Sequence, residues 1–579
     1  MLKLFKNLTK KELLFIVISI IFIVVQVLLD LKLPDYMSNI TELVQTGGEA
    51  INILKEGLKM LFCALASLGT SFIVGYLATY LASSFGNKTR GKIYRKVLNL
   101  GQAEIKDFEV SSLITRTTND VGQVQMLISF GLQALIKAPI MATLAIIKIA
   151  GKNFSFSLIT FIAVFILLIL IISLILIVIP KFKIIQKLTD NLNKITRENL
   201  TGIRVIRAFN AEDYQNKKFE DANNYLTNTI VFNQRVMGIM SPFMTFITSS
   251  LTLAIYVVGA ILINEAGVLD KITIFSNMVV FSSYAMQVIM SFMMLIMIFL
   301  IYPRASVSAK RVLEVLEREI SIKDGKLSNG QFKGTIEFKN VSFKYPDAEE
   351  AIIHDISFMV NQGETVGIIG GTGSGKSTLV NLIVRFYDVT NGNILIDGVD
   401  VRDYKLESLY KKIGYVSQRA VLFSGTIKDN VIYGNKNVKD SRIDDAIRVS
   451  QSTEFVEKLD EGINYHVARS GTNLSGGQKQ RLSVARAIAK NPEIYIFDDT
   501  FSALDNETDL HLRRELKEYT KGTTSIIVAS RIGTIINADK IIVLDQGRIV
   551  GIGTHKELLM NSPVYKEIAI SQLSEEELK

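Results

Sequence analysis

The sequence predicts an α-helical transmembrane domain of six spanning helices with long cytoplasmic extensions, fused to a soluble α/β domain of the P-loop class. Three observations carry this. Six runs are apolar over about 20 residues, the length that crosses a bilayer. The composition changes regime near Ser308, beyond which the chain reads as an ordinary soluble domain. A glycine-rich segment, Gly370–Thr378, then lies between a strand-like and a helix-like stretch.

The bulk numbers agree with a membrane half. Of 579 residues, 48% are hydrophobic and 21% charged, below the ~25% charged usual in soluble domains, and the mean hydropathy is +0.29. The candidate spans are Leu13–Leu33, Leu58–Leu81, Leu127–Ile149, Leu158–Ile179, Phe243–Leu262 and Met278–Ile301. Lysine and arginine then set the orientation, because cytoplasmic loops carry them in excess. Segment 85–126 holds Lys88, Arg90, Lys92, Arg95, Lys96, Lys106 and Arg116, and segment 181–238 runs from Lys181 and Lys183 to Arg235. Segment 35–56 carries Asp35, Glu42, Glu49 and Glu56 against Lys55 alone. Segments 1–12, 85–126, 181–238 and 302–579 are therefore expected in the cytoplasm, with short external loops at 150–154 and 263–275. The basic N-terminus (Lys3, Lys6, Lys10, Lys11) imitates a signal peptide, but no small-residue cleavage site follows and further apolar segments do, so it reads as a first spanning helix.

The net charge of +9 is spread between apolar segments instead of clustering on one soluble face, so a lipid bilayer is the expected surface partner and nucleic acid is not. The single cysteine, Cys63, lies in an apolar run and reads as a small hydrophobe that permits no intrachain disulfide.

The long loops read as helical: Ile203, Ile206 and Phe209 recur at helical spacing with Arg204 and Arg207 on other faces. The expected domains are 1–315 for the membrane part, 316–333 for a linker containing Gly325 and Gly330, and 334–572 for the soluble part. The soluble part opens with alternation from Thr335 to Tyr345, then proceeds through βα units.

Gly370, Gly371, Thr372, Gly373, Ser374, Gly375, Lys376, Ser377 and Thr378 match the phosphate-loop pattern. The apolar strand Thr365–Ile369 precedes them and a helical stretch, Leu379–Tyr387, follows. Glycines let backbone N–H groups point at phosphate oxygens, and the helix N-terminus adds favourable potential. Lys376 supplies a charge to the β- and γ-phosphates, and Ser377 an oxygen to magnesium. ATP and Mg²⁺ are thus the expected cofactors. Downstream, Ile494–Asp498 is an apolar strand ending in a carboxylate, as needed to bring Asp498 to the magnesium shell.

A third motif, Leu474-Ser475-Gly476-Gly477-Gln478 ahead of a helical stretch Lys479–Lys490, makes the chain resemble ATP-binding cassette (ABC) proteins, whose signature is this pentapeptide. The resemblance covers essentially the whole chain, and six helices before one cassette is similar to an exporter half-transporter of multidrug type. It implies that Tyr345 stacks on adenine (a strand-end tyrosine being the plain alternative), that Gln418 touches magnesium and senses the membrane domain, and that Ser502–Asp505 crosses a dimer interface. It implies coupling loops near 107–120 and 205–220, the stretches Phe108–Asp120 and Glu198–Phe219. It also implies that Ser475, Gly476, Gly477 and Gln478 serve the nucleotide of a second cassette.

Two positions depart from the family. Asp499 stands where a glutamate base usually follows the magnesium aspartate, and the carboxylate is retracted by roughly 1 Å, a displacement that can cost about 100-fold in rate. Ser530, in Val528-Ala-Ser-Arg531, stands where histidine usually contacts the γ-phosphate. His354, His466, His511 and His555 all lie elsewhere, and Arg469 ahead of the signature replaces a common glutamate. The pattern resembles the degenerate half of heterodimeric exporters, paired with a chain carrying Glu and His. A homodimeric lipid or drug exporter and an ATP-gated regulatory or channel-like protein stay open as alternatives. The cargo is expected to be hydrophobic or amphipathic, a small molecule or peptide. Within the spans, Gln133, Lys137, Lys148 and Gln287 are polar; Lys137 is expected to face a wet cavity, and Asp30 either pairs with Lys148 or, like it, snorkels to the interface. Methionines 286, 290, 293, 294 and 297 suggest an adaptable apolar surface or simple helix packing.

Overall fold

The computed structural model describes residues 2–5, 9–150, 154–328, 333–435 and 437–573; Lys6, Gly330 and the centre of the 150–154 loop lie outside them. The chain forms two compact units: Met1–Val97 with Val110–Glu317, and Leu98–Glu109 with Arg318–Lys579.

The first unit contains the six expected long apolar helices: Lys10–Gln45, Ala50–Leu98, Val110–Ile149, Phe154–Thr201, Glu212–Glu265 and Asp270–Glu317. They are 36 to 54 residues long, roughly 54–81 Å at 1.5 Å per residue, against about 30 Å of hydrocarbon. The helices therefore continue well past the apolar runs, because the flanking polar residues keep helical propensity and gain local bonds. Thr9 N, for example, donates to Glu12 Oε2 (2.7 Å), whose Oε1 accepts from Ser84 and Lys88. At most 44% of each apolar window is buried, and large side chains such as Phe62, Phe72 and Phe154 face outward. In water such exposure would be costly; against lipid it is the expected arrangement. The interior is a cluster around Val27, Leu167, Ile255 and Phe281.

Asp30 and Lys148 neither pair with each other nor stand alone: each has a different partner. Lys137 Nζ lies 3.1 Å from Asp30 Oδ2, and Lys148 Nζ lies 2.8 Å from Asp35 Oδ2. The helices carrying them run in the same sense, so the later carboxylate meets the later lysine; Asp35 is about 7.5 Å beyond Asp30 along the axis. Lys137 thus meets a carboxylate and not a water-filled cavity alone. Ser67 also donates to Asp30, and Gln287 Nε2 donates to the Asp30 carbonyl (3.2 Å). Of the methionines, Met286, Met290 and Met297 are exposed, while Met293 packs on the interior cluster.

At the base of the third helix a π-helical turn, Arg116–Asp120, is clamped to the last helix. Arg116 donates to the Arg311 carbonyl (2.7 Å) and to Glu314 (2.9 Å), and Asp120 accepts from Ser308 (2.8 Å). The short helix Ile203–Ala208 buries Ile206 but leaves Ile203, Val205 and Phe209 exposed, so the three apolar residues at helical spacing do not share a buried face.

The second unit is α/β. Its strands are β1 (Ile336–Phe343), β2 (Ile353–Val360), β3 (Thr365–Gly370), β4 (Asn391–Ile396), β5 (Val399–Asp400), β6 (Ile413–Val416), β7 (Gly425–Thr426), β8 (His466–Val467), β9 (Ile494–Asp498), β10 (Thr524–Val528), β11 (Lys540–Asp545) and β12 (Arg548–Gly553). A six-stranded sheet has the order β12-β11-β3-β10-β9-β6, parallel except for the antiparallel edge strand β12. Its central strands read as continuous apolar runs because both faces are covered. An antiparallel sheet has the order β2-β1-β4-β5. Lys412, just before β6, joins the two: its buried ammonium bonds Asp397 after β4 (2.8 Å) and Glu493 before β9 (2.9 Å). The helix Gln102–Asp107 packs within this unit. Glu104 is buried and accepts from Ser321 N at 3.2 Å, and Asp107 pairs with Arg318.

Candidate nucleotide site

In a parallel sheet, loops leaving the carboxyl ends of neighbouring strands converge, which is where ligands bind in open α/β folds. Four of the motifs meet there: the Gly370–Thr378 loop follows β3, Ser530 follows β10, Asp498 ends β9, and Gln418 follows β6.

The loop turns from β3 into the helix Lys376–Ile383. Gly375 takes φ +98°, and a Cβ there would come within 2.7 Å of Ile353 Cδ1, so both conformation and space demand glycine. Lys376 Nζ donates to the carbonyls of Gly370 and Gly371 at 2.7 and 2.8 Å, curling over the loop. Burial holds its ammonium below the ordinary lysine range, against the pull of Asp499 and Asp498. Ser374 Oγ is buried and has no hydrogen-bond partner among the described residues. Ser377 Oγ donates to Asp498 Oδ1 at 3.3 Å. Burial pushes the Asp498 carboxyl above its usual range, with Ser377 opposing.

Asp499 adopts a left-handed conformation, φ +45°, fixed by its N–H to the Val528 carbonyl (3.0 Å). Its two oxygens are both engaged: Oδ2 accepts from Gln418 Nε2 and Oδ1 from Ser530 Oγ, each at 3.2 Å. The two residues that depart from the family pattern therefore bond to each other. Tyr345 stands at the other side, its hydroxyl 3.1 Å from Thr378 Oγ1 and its ring edge-on to Phe343 and Tyr387. Lys106 places its ammonium 5.6 Å from the centre of that ring, a partner that sequence reasoning missed because it lies some 240 positions away with no motif of its own.

Ser475 caps the helix Gly476–Lys490: its Oγ accepts from Gln478 N (3.2 Å), while Gln478 Oε1 accepts from Ser475 N (2.8 Å). This explains the serine and glutamine at three-residue spacing. Among the described residues no hydrogen bond joins Ser475–Gln478 to the phosphate loop, Asp498, Asp499 or Ser530. The helix does touch the site indirectly, Gln480 Nε2 donating to the Ser417 carbonyl (3.2 Å).

Hard oxygen donors at Ser377 and Asp498 fit magnesium, which is bound through one or two carboxylates and draws most of its other ligands from water and phosphate. Among the described residues no three His, Cys, Asp or Glu gather to hold a metal unaided.

Comparison with known proteins decides the family. Residues 16–292 match the ABC transporter transmembrane region and residues 353–502 the ABC transporter domain. An uncharacterised ABC transporter ATP-binding protein of Mycobacterium tuberculosis is 36% identical over 563 residues, spanning 95% of this chain and 94% of that one. The chain belongs to the ABC transporter family. This ABC protein is also similar to a putative multidrug export ATP-binding/permease protein of Bacillus subtilis (30% identity, 96% of both chains). An ATP-dependent lipid A-core flippase of Syntrophus aciditrophicus is 30% identical, covering 90% of this chain and 86% of the flippase. In fold it matches a bacterial Atm1-family ABC exporter with ATP bound, at a TM-score of 0.79 and 23% identity over 97% of this chain and 98% of that one. The protein is thus a multi-pass, ATP-driven ABC exporter of half-transporter architecture.

Proposed function

We propose that this exporter subunit binds Mg–ATP at a weakly hydrolytic site of its own and lends its signature to the strongly hydrolytic site of a different partner chain. The observation that carries this is the state of Asp499. Its carboxylate is one methylene short, each oxygen already accepts a hydrogen bond, and the neighbour at 530 is a hydroxyl without an imidazole. General-base geometry is decided before pKa, and a short carboxylate tethered on both sides is poorly placed to draw a proton from an attacking water.

The other residues act as follows in this reading. Backbone N–H groups of Gly371–Gly375 and the helix N-terminus receive phosphate oxygens. Lys376 swings from its two carbonyls to the β- and γ-phosphates, and Ser374 Oγ gains the partner it lacks. Ser377, Asp498 and Gln418 are the residues that would hold magnesium, which would supply charge neutralisation at the phosphates. Tyr345 offers a ring face to adenine.

Among the described residues Ser475, Gly476, Gly477 and Gln478 share no hydrogen bond with these groups, and the cap leaves Gly476 and Gly477 N–H groups at a helix N-terminus for another chain's nucleotide. The exposed Val205 within the helix Ile203–Ala208, and Phe209 just after it, supply apolar surface for a partner's cassette. The cargo is read as hydrophobic or amphipathic, since relatives are named as a lipid flippase and a multidrug exporter, and the basic loops as cytoplasmic.

The test is biochemical. Purified alone, the chain should hydrolyse ATP poorly; co-purified with a partner carrying Glu and His at the equivalent positions, it should hydrolyse fast. Ser475→Arg should then nearly abolish turnover while leaving nucleotide binding at this chain's own P-loop intact. Robust magnesium-dependent hydrolysis by a homogeneous preparation would sink the heterodimer and favour a homodimeric exporter.

A further inference from the structure

A cleft of about 300 Å³ opens elsewhere in the same unit, lined by none of the nucleotide-site residues. One wall is the sheet, with Phe497, Ser525 and Ile527; the other is the helix Asn506–Tyr519, with Leu510, Arg514 and Lys517. Phe501, which leads from Asp499 into that helix, is buried at its base.

The polar groups of this cleft divide into committed and uncommitted. Arg513 is committed: it bonds both oxygens of Asp509 (3.0 Å each) and the Gly533 carbonyl (2.5 Å). Asp539, the carboxylate of the lining, accepts from Thr365 N at 2.8 Å. Arg514 and Lys517, by contrast, form no hydrogen bond or ion pair among the described residues. Deeper in, Ser525 is only 3% exposed, and its Oγ has no hydrogen-bond partner among the described residues. A buried hydroxyl left unpaired costs free energy, and such an exception calls for a cause. Apolar walls with a few convergent polar groups are the usual make-up of a small-molecule site.

We propose that this cleft is a binding site for a small amphipathic anion. The headgroup, a carboxylate, sulfonate or phosphate ester, is held at the mouth by Arg514 and Lys517. A flat apolar body lies against Phe497 and Phe501, and a polar atom at its far end meets Ser525 Oγ. Two uncommitted cations against one carboxylate favour the negative headgroup. The site is separate from the nucleotide site and does not rest on the heterodimer reading.

The chain contains no tryptophan, so a single one at the exposed position Leu510 (60% exposed) is a private fluorescence donor. In full-length Leu510→Trp protein in lipid nanodiscs, titrated 1-anilinonaphthalene-8-sulfonate should give saturable tryptophan-sensitised emission. Adding Arg514→Ala with Lys517→Ala should weaken it at least tenfold, and adding Ser525→Val at least threefold. The uncharged N-phenyl-1-naphthylamine should bind at least tenfold more weakly than the sulfonate. Emission that fails to saturate, that ignores the two cations, or that is equal for the two probes would overturn the proposal. Asn537→Trp, exposed on the opposite rim, gives an independent donor should the first variant fold poorly.

Discussion

Asp499 and Ser530, the two departures from the family pattern, hold each other through one hydrogen bond between loops. Both departures were visible as letters in the sequence. Their mutual hydrogen bond was not, since it joins loops after β9 and β10 that become neighbours only through the parallel pairing of those strands. Lys106 over Tyr345 was invisible because it lies some 240 positions away in the chain with no motif of its own. The structure also bears on what a change at Asp499 does. Because both oxygens are already tethered, Asp499→Asn should alter turnover of the assembled transporter by less than about 10-fold, measured as ATPase in proteoliposomes. A loss of several hundred-fold would identify a working base.

At the scale of elements, the six spans were legible because about 20 apolar residues in a row have few other fates. Their true ends were not legible, because polar continuations such as Leu33 to Gln45 keep helical geometry without an apolar signal. Register between helices was also hidden, and it is register that pairs Lys137 with Asp30. Within a membrane span, removing one member of a half-buried pair such as this leaves the other charge uncompensated, whereas removing both is tolerated better. Lys137→Met should therefore lower the thermal midpoint, and Asp30→Asn added to it should recover most of the loss.

The helix Gln102–Asp107 makes a second test. Burial pushes the Glu104 carboxyl up, but hydrogen bonds from Ser321 and from nearby backbone N–H groups outweigh it and leave the group below its ordinary value of 4.5. A lowered folded-state pKa contributes stability above the unfolded value that is lost as pH falls through the folded one. Glu104→Gln should cost about 1.5–3 kcal/mol at neutral pH, the range for hydrogen bonds to a charged group. The gap between variant and parent should shrink as the pH is taken below 4.5, and a gap independent of pH would assign Glu104 a packing role only.

For the whole molecule, we propose from the basic loops that segments 85–126 and 181–238 face the cytoplasm. The lone Cys63 is 5% exposed, so the parent chain gives little background to thiol labelling. Cysteines introduced at Thr46 and Lys271 should react with an impermeant maleimide from outside the cell, and one at Asn193 only after permeabilisation. External labelling at Asn193 would overturn the arrangement.

The membership of Leu98–Glu109 in the second unit has a consequence for how the protein is made. That segment leaves the ribosome roughly 200 residues before Arg318, and at about 5–20 residues per second the rest of its own unit follows it by some 10–40 s or more. Throughout that interval Leu100 and Glu104, both buried in the finished unit, have nothing to close against. The soluble unit therefore cannot fold strictly in the order in which it is synthesised: its earliest piece must wait for residues made from Arg318 onward. A fragment beginning at Arg318 should accordingly be less stable than its sequence suggests, and supplying residues 98–109 as a separate peptide should restore part of the difference.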